Sequence, residues 1–180
     1  MALSSRTPEL ALPVASLAAL RDSLVSSVGP EAAALALRQA GHAAGDALHR
    51  ILSGGDPQSL VSLPAERFWQ QLTRLFSARG WGQLTYSQVH SGVGSLESGD
   101  WAEARTDGSA GQPSCHFTTG VLANLLGQIA DAEVAVLEAE CRSRGDHHCR
   151  FLFGGADAVY AVYDRIAAGD PPDAALARLG

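Results

Sequence analysis

The stretch that decides the reading is 136–151, VLEAECRSRGDHHCRF. Gly145-Asp146 at its centre is a turn signal, and beyond it Cys149, Phe151 and Phe153 alternate as on one face of a strand. The pattern predicts a hairpin: β-like chain over 133–142, a turn over 143–147 and a paired strand from 149, with Cys141 and Cys149 at its facing ends. Glu138 stands three residues before Cys141. In a straight strand, residues three apart point to opposite faces. Glu138 and Cys141 can therefore face one point only if the chain bulges or turns near Ala139-Glu140.

A third cysteine, Cys115, follows Pro113-Ser114 at the predicted start of a helix over 116–129. That helix carries Phe117, Val121, Leu122, Leu125 and Ile129 on its buried side. The positive end of a helix lowers a thiol's pKa and favours thiolate. The chain holds 3 cysteines, and three thiolates with one carboxylate complete a four-coordinate zinc shell. The spacing is not that of a CxxC pair, so the residues by themselves leave other readings open. All three cysteines could be small buried hydrophobes. Cys149 could act with a neighbouring histidine as a nucleophile, although no orienting group or oxyanion loop accompanies it. His147 and His148 compete as ligands, but neighbours on a strand point apart, and an exposed hairpin tip suits both.

Outward from this stretch, 180 residues suit one domain with short extensions: a flexible lead at 1–13, a domain at 14–155 and a helical extension at 156–180. A hydrophobic fraction of 46% supports a real core. With net charge −6 and no basic face, the chain is not built for nucleic acid. The first residues lack a charged and then apolar leader pattern. Asn124, Gln128, Asp131 and Glu133 interrupt the apolar run 121–136, so no membrane span is expected. The expected location is cytoplasmic, where thiols stay reduced and clustered cysteines favour metal over disulfide.

Leu17, Leu20, Leu24 and Val28 space like one helix face over 14–28. After Gly29-Pro30, an Ala-rich helix over 31–52 contains Gly41 and Gly45, which predict a close approach of another backbone. A third helix starts at Leu63-Pro64-Ala65-Glu66, carries Phe68, Leu72, Leu75 and Phe76, and stops before Gly80. Leu84 to Val89 alternates as a strand, 90–100 reads as a turn with a weak strand, and 54–59 and 106–114 read as loops. A helix over 156–168 and a short last helix follow. Trp69 and Trp81 are expected as packing residues.

Three pieces together, Cys115-His116-Phe117 with Gly120, Glu138-x-x-Cys141 and Gly145-Asp146-x-x-Cys149-x-Phe151, resemble the signature of the 4-vinyl reductase-type domain. That family is related to the sensor domains of phenol- and xylene-responsive bacterial activators. Ala40-Gly41-x-x-x-Gly45 and the Gly80-Trp81-Gly82 turn also match its layout, and the resemblance covers about 15–155. It implies an α+β fold with helices packed on a twisted antiparallel sheet, similar to Golgi transport-complex subunits and to haem-based nitric-oxide sensors. It implies structural zinc on Cys115, Glu138, Cys141 and Cys149, and a small aromatic or other hydrophobic ligand held between helices and sheet. Trp101 is the positional match for the tryptophan that bonds a phenol hydroxyl. The matching histidine is absent, since none lies between His49 and His90.

The function implied is a zinc-containing small-molecule sensor domain, homodimeric through its helices and acting through a signalling or biosynthetic partner. The alternatives are a tetrapyrrole-binding accessory to 4-vinyl reduction in bacteriochlorophyll synthesis and a non-catalytic dimerisation module. No GxGxxG or flavin site supports hydride chemistry, so the chain reads as a binder before an enzyme.

Overall fold

In the computed structural model, which describes residues 8–105 and 110–179, four antiparallel strands form one sheet between two layers of helices. The strands are β1 (Thr85–His90), β2 (Val93–Ser98), β3 (Ala135–Glu140) and β4 (Cys149–Gly154), in the order β1-β2-β4-β3. One face packs under α2 (Pro30–Leu52), α4 (Ala65–Ser77) and α5 (His116–Ala130), with α1 (Val14–Val28) laid on α2. The other face is covered by α6 (Ala156–Ala167) and α7 (Pro172–Ala177). The expected α+β class, helices over an antiparallel sheet, is what the chain forms.

β2 is the element that the sequence under-reads. Expected as a weak strand, it is an interior strand with every residue buried except the half-buried Glu97. Leu96 joins Leu122 and Phe151 in the larger core, while Val93 joins Leu152 and Val162 in the smaller one. Burial on both faces removes the in–out alternation that marks a strand in sequence. A second difference is α3 (Gln58–Val61), a short helix starting inside the segment read as a loop. The Asp56 carboxylate accepts the Gln58 N–H at 3.1 Å and starts it.

The expected close backbone approach lies between α2 and α5. A Cβ on Gly41 would sit 2.0 Å from the Phe117 carbonyl oxygen, and one on Gly120 would sit 2.1 Å from that of Arg38. No side chain fits at either point, so the two helices touch backbone to backbone. This contact fixes the N-terminal end of α5, where Cys115 stands.

Of the lead expected at 1–13, residues 1–7 lie outside the described residues, and so do 106–109 of the loop 106–114. Glu9 pairs with Arg79 at the end of α4. Among the described residues, no helix is long and apolar enough to cross a membrane.

Candidate metal centre

Three segments bring Cys115, Glu138, Cys141 and Cys149 together, all buried, with one possible ligand atom from each within 4.8 Å of the others. Cys115 is the residue that caps the start of α5. Glu138 lies on β3, whose register against β4 shifts between Glu138 and Glu140. That bulge falls where the three-residue spacing demanded a bend. Cys141 leads into a single 3₁₀ turn, Arg142–Arg144, and Cys149 opens β4. Gly145 closes the turn at φ 103°, a conformation that an L side chain resists.

The hairpin tip is tied to this cluster. One carboxylate oxygen of Asp146 accepts the Cys141 N–H at 2.7 Å and also bonds the Arg144 guanidinium, at 2.7 Å from Nη2. Arg144 Nη2 also donates to the Ala139 carbonyl at 3.1 Å. On its other side the turn is held by Ser143, fully buried, whose Oγ accepts the Arg105 N–H at 2.8 Å and bonds Ser114 Oγ at 2.7 Å. His147 is exposed and His148 half-buried, facing Glu140 and Glu97. Neither joins the cluster.

The donor set suits zinc. Cys115 Sγ stands 4.0 Å from both Cys141 Sγ and Cys149 Sγ. Tetrahedral zinc with sulfur at about 2.3 Å sets its sulfurs about 3.8 Å apart. Glu138 Oε2 accepts the Cys115 N–H at 2.8 Å, whereas its Oε1 is buried with no hydrogen-bond partner. A buried carboxylate oxygen without a donor is costly, and a cation would satisfy it. The thiols divide unequally. Cys141 is pushed well down by the hydrogen bonds that it receives from Cys115 and Cys149. Cys115 is pushed far up by its bonds to those two sulfurs and by burial. Cys149, lowered by Cys115 but raised by Cys141 and by burial, ends at about 12. Glu138 is raised by burial and by the charge on Cys141. A divalent ion would let all four give up their protons.

Beside the cluster stands a carboxylate with no early sign in the sequence. Glu103 is buried at the same helix end, where its Oε1 accepts the Phe117 N–H at 2.8 Å and its Oε2 the Thr118 N–H at 2.8 Å. It caps two of the free N–H groups of α5, a role that Cys115 does not fill with its own side chain. Burial pushes its pKa up to about 7, against the lowering pull of its bonds to Thr118 and Phe117 and of the Arg21 charge. The Thr118 hydroxyl donates to the same Oε2.

Trp101 is 1% exposed, with its ring 5.5 Å from that of Phe76 and 5.9 Å from that of Phe151. Its indole N–H donates to Thr118 Oγ1 at 2.8 Å. The atom expected to meet a phenol hydroxyl therefore already has an acceptor. Trp81 and Trp69 pack as expected, Trp81 stacked on Phe117 at 5.7 Å and Trp69 on Tyr86 at 3.8 Å. Asp146, Ser143 and Glu103 escape a sequence reading. Only Asp146 has a local signal, its place after the turn glycine.

An α+β domain with a cysteine–glutamate cluster at a helix start and hairpin is the class that fold and site define. The family model of the 4-vinyl reductase domain matches residues 100–154, which hold the whole cluster and Trp101, in line with the resemblance carried by the cysteine motifs. The fold is similar to the crystal structure of the phenol-responsive sensory domain of the transcription activator PoxR with phenol. That match has TM-score 0.72 and 20% identity over 91% of this chain and 84% of that one. It is also similar to a vinyl-4-reductase family protein from Methanocaldococcus jannaschii, at TM-score 0.50 and 20% identity over 81% and 82% of the two chains. No curated protein sequence matches significantly.

Proposed function

We propose that this chain is a zinc-containing domain that binds a small aromatic or other hydrophobic molecule and passes the event to a protein partner. The observation that carries the zinc is the buried, unpartnered Oε1 of Glu138 beside three cysteines. The ion would cross-link the start of α5 to the β3–β4 hairpin. With four protein ligands it has no open position for substrate, so its part is architectural.

The likeness to a phenol-responsive sensory domain supports the binding reading. Trp101 is the residue we assign to the ligand. It lines a pocket of about 440 Å³ between α1 and the segment 100–105, within the size range of small-molecule sites. A ligand oxygen taking the indole N–H would replace Thr118, whose hydroxyl also bonds Glu103. Binding would thereby reach the cap of α5.

Pairing of two chains through their helices belongs to the same proposal, supported by exposed Val14, Leu20 and Val28 on α1 and Leu35 on α2. The wider kinship with transport-complex subunits and haem-based nitric-oxide sensors is proposed on the layering of helices over an antiparallel sheet, and a close structural superposition would test it.

Native mass spectrometry of the purified chain tests the reading, with phenol, other aromatics, fatty acids and tetrapyrroles as probes. One zinc per chain and a mass shift with one probe class are expected. A folded, metal-free chain would sink the zinc assignment. No response to any probe would sink the binding assignment.

A further inference from the structure

The pocket beside Trp101 has an electrostatic asymmetry. Arg21 of α1 lines it with a side chain only 9% exposed. Nη1 donates to the Glu103 carbonyl at 3.3 Å and to Ser114 Oγ at 3.4 Å. Nη2 is buried without a hydrogen-bond partner. The acids on the same wall are directed elsewhere. The Glu103 carboxylate caps α5, and that of Asp100 takes the Gln83 N–H and the Ser98 hydroxyl. Asp22 is 3.7 Å from Arg21 Nε and closer to Arg105, at 3.1 Å. Arg142 adds another guanidinium to the wall, and Leu17 and Ala18 add apolar surface beside the indole.

A buried charged donor with no acceptor is unfavourable by about 1–3 kcal/mol or more. An incoming oxyanion would meet it, and a guanidinium is the side chain that best matches a carboxylate. We infer that this pocket takes a small apolar carboxylic acid, its carboxylate held by Arg21 and Arg142 and its hydrocarbon body against Leu17, Ala18 and Trp101. This rests on the small-molecule reading above and narrows it from hydrophobic ligands in general to hydrophobic anions.

Calorimetric titration of the full chain, as purified, with benzoate, benzamide, phenol and inorganic phosphate tests the inference. Benzoate is expected to bind at least about ten-fold more tightly than benzamide, which has the same shape without the charge. Arg21→Gln should reduce benzoate affinity by about ten-fold or more, and Arg142→Gln by a few-fold. Should Arg21→Gln fail to fold, Arg142→Gln decides, because Arg142 is only half-buried. Equal binding of benzoate and benzamide, unchanged in Arg142→Gln, overturns the anion assignment and leaves small-molecule binding standing. Binding of phenol without benzoate does the same. Phosphate binding as tightly as benzoate overturns the apolar part. If none of the four binds, both readings fall.

Discussion

Two buried glutamates meet the N-terminal end of α5, and they differ in what their oxygens have left to do. On Glu103, both oxygens accept: one takes the Phe117 N–H, the other the Thr118 N–H and hydroxyl. On Glu138, one oxygen takes the Cys115 N–H and the other has nothing, although three sulfurs surround it. Residue type, burial and helix end are the same for both. The unused lone pair separates a cap from a metal ligand. A count of satisfied acceptors is thus a sharper guide to role than burial or charge.

The comparison breaks most visibly at the sulfurs. Cys141→Ser should take bound zinc from about one per chain to nearly none, and should lower the melting temperature sharply, because the β3–β4 hairpin loses its link to α5. Metal analysis and thermal unfolding would check this; full zinc occupancy in the variant would remove Cys141 from the shell. Glu138→Gln should follow, with zinc affinity falling about 10–100-fold in a competition titration with a chelator, the size that weaker changes around metal sites already reach. Glu103→Gln should leave zinc stoichiometry unchanged. If it releases zinc as readily as Glu138→Gln, the distinction between cap and ligand fails.

The smallest effect is in pH. Burial raises Glu103 from 4.5 to about 7, so folding favours its protonated form. The stability that this supplies is complete below 4.5 and is lost as pH rises through 7, on the order of 3 kcal/mol in all. Wild-type stability should therefore fall across that window relative to Glu103→Gln, whose side chain carries no charge at any pH. Parallel denaturant curves between pH 5 and 8 would show the difference, and coincident slopes would mean that Glu103 is ionised throughout.

What was legible in the chain was local. The turn at Gly145-Asp146, the helix start at Cys115 and the glycines at 41 and 45 each announce themselves within a few residues. The spacing of Glu138 and Cys141 even required a bulge, and the register shift supplies it. β2 was not legible, because an interior strand buried on both faces shows no period. Glu103 was not legible either: it caps a helix that begins 13 residues further on in the chain. Arg21 reaches the Glu103 carbonyl across 82 positions, which no local pattern can register.

The sequence by itself determined which residues can form a metal shell, because sulfur and carboxylate chemistry belongs to the side chains and short spacing constrains where they point. It also determined that two helices must touch, because glycine alone permits that approach. Only the tertiary structure decided how the polar groups are shared: that Trp101 bonds Thr118, that Glu103 is fully engaged, and that Glu138 Oε1 and Arg21 Nη2 are not. Hydrogen bonding is a matter of which atoms end up within about 3 Å of each other, and distant chain segments are brought that close only by packing.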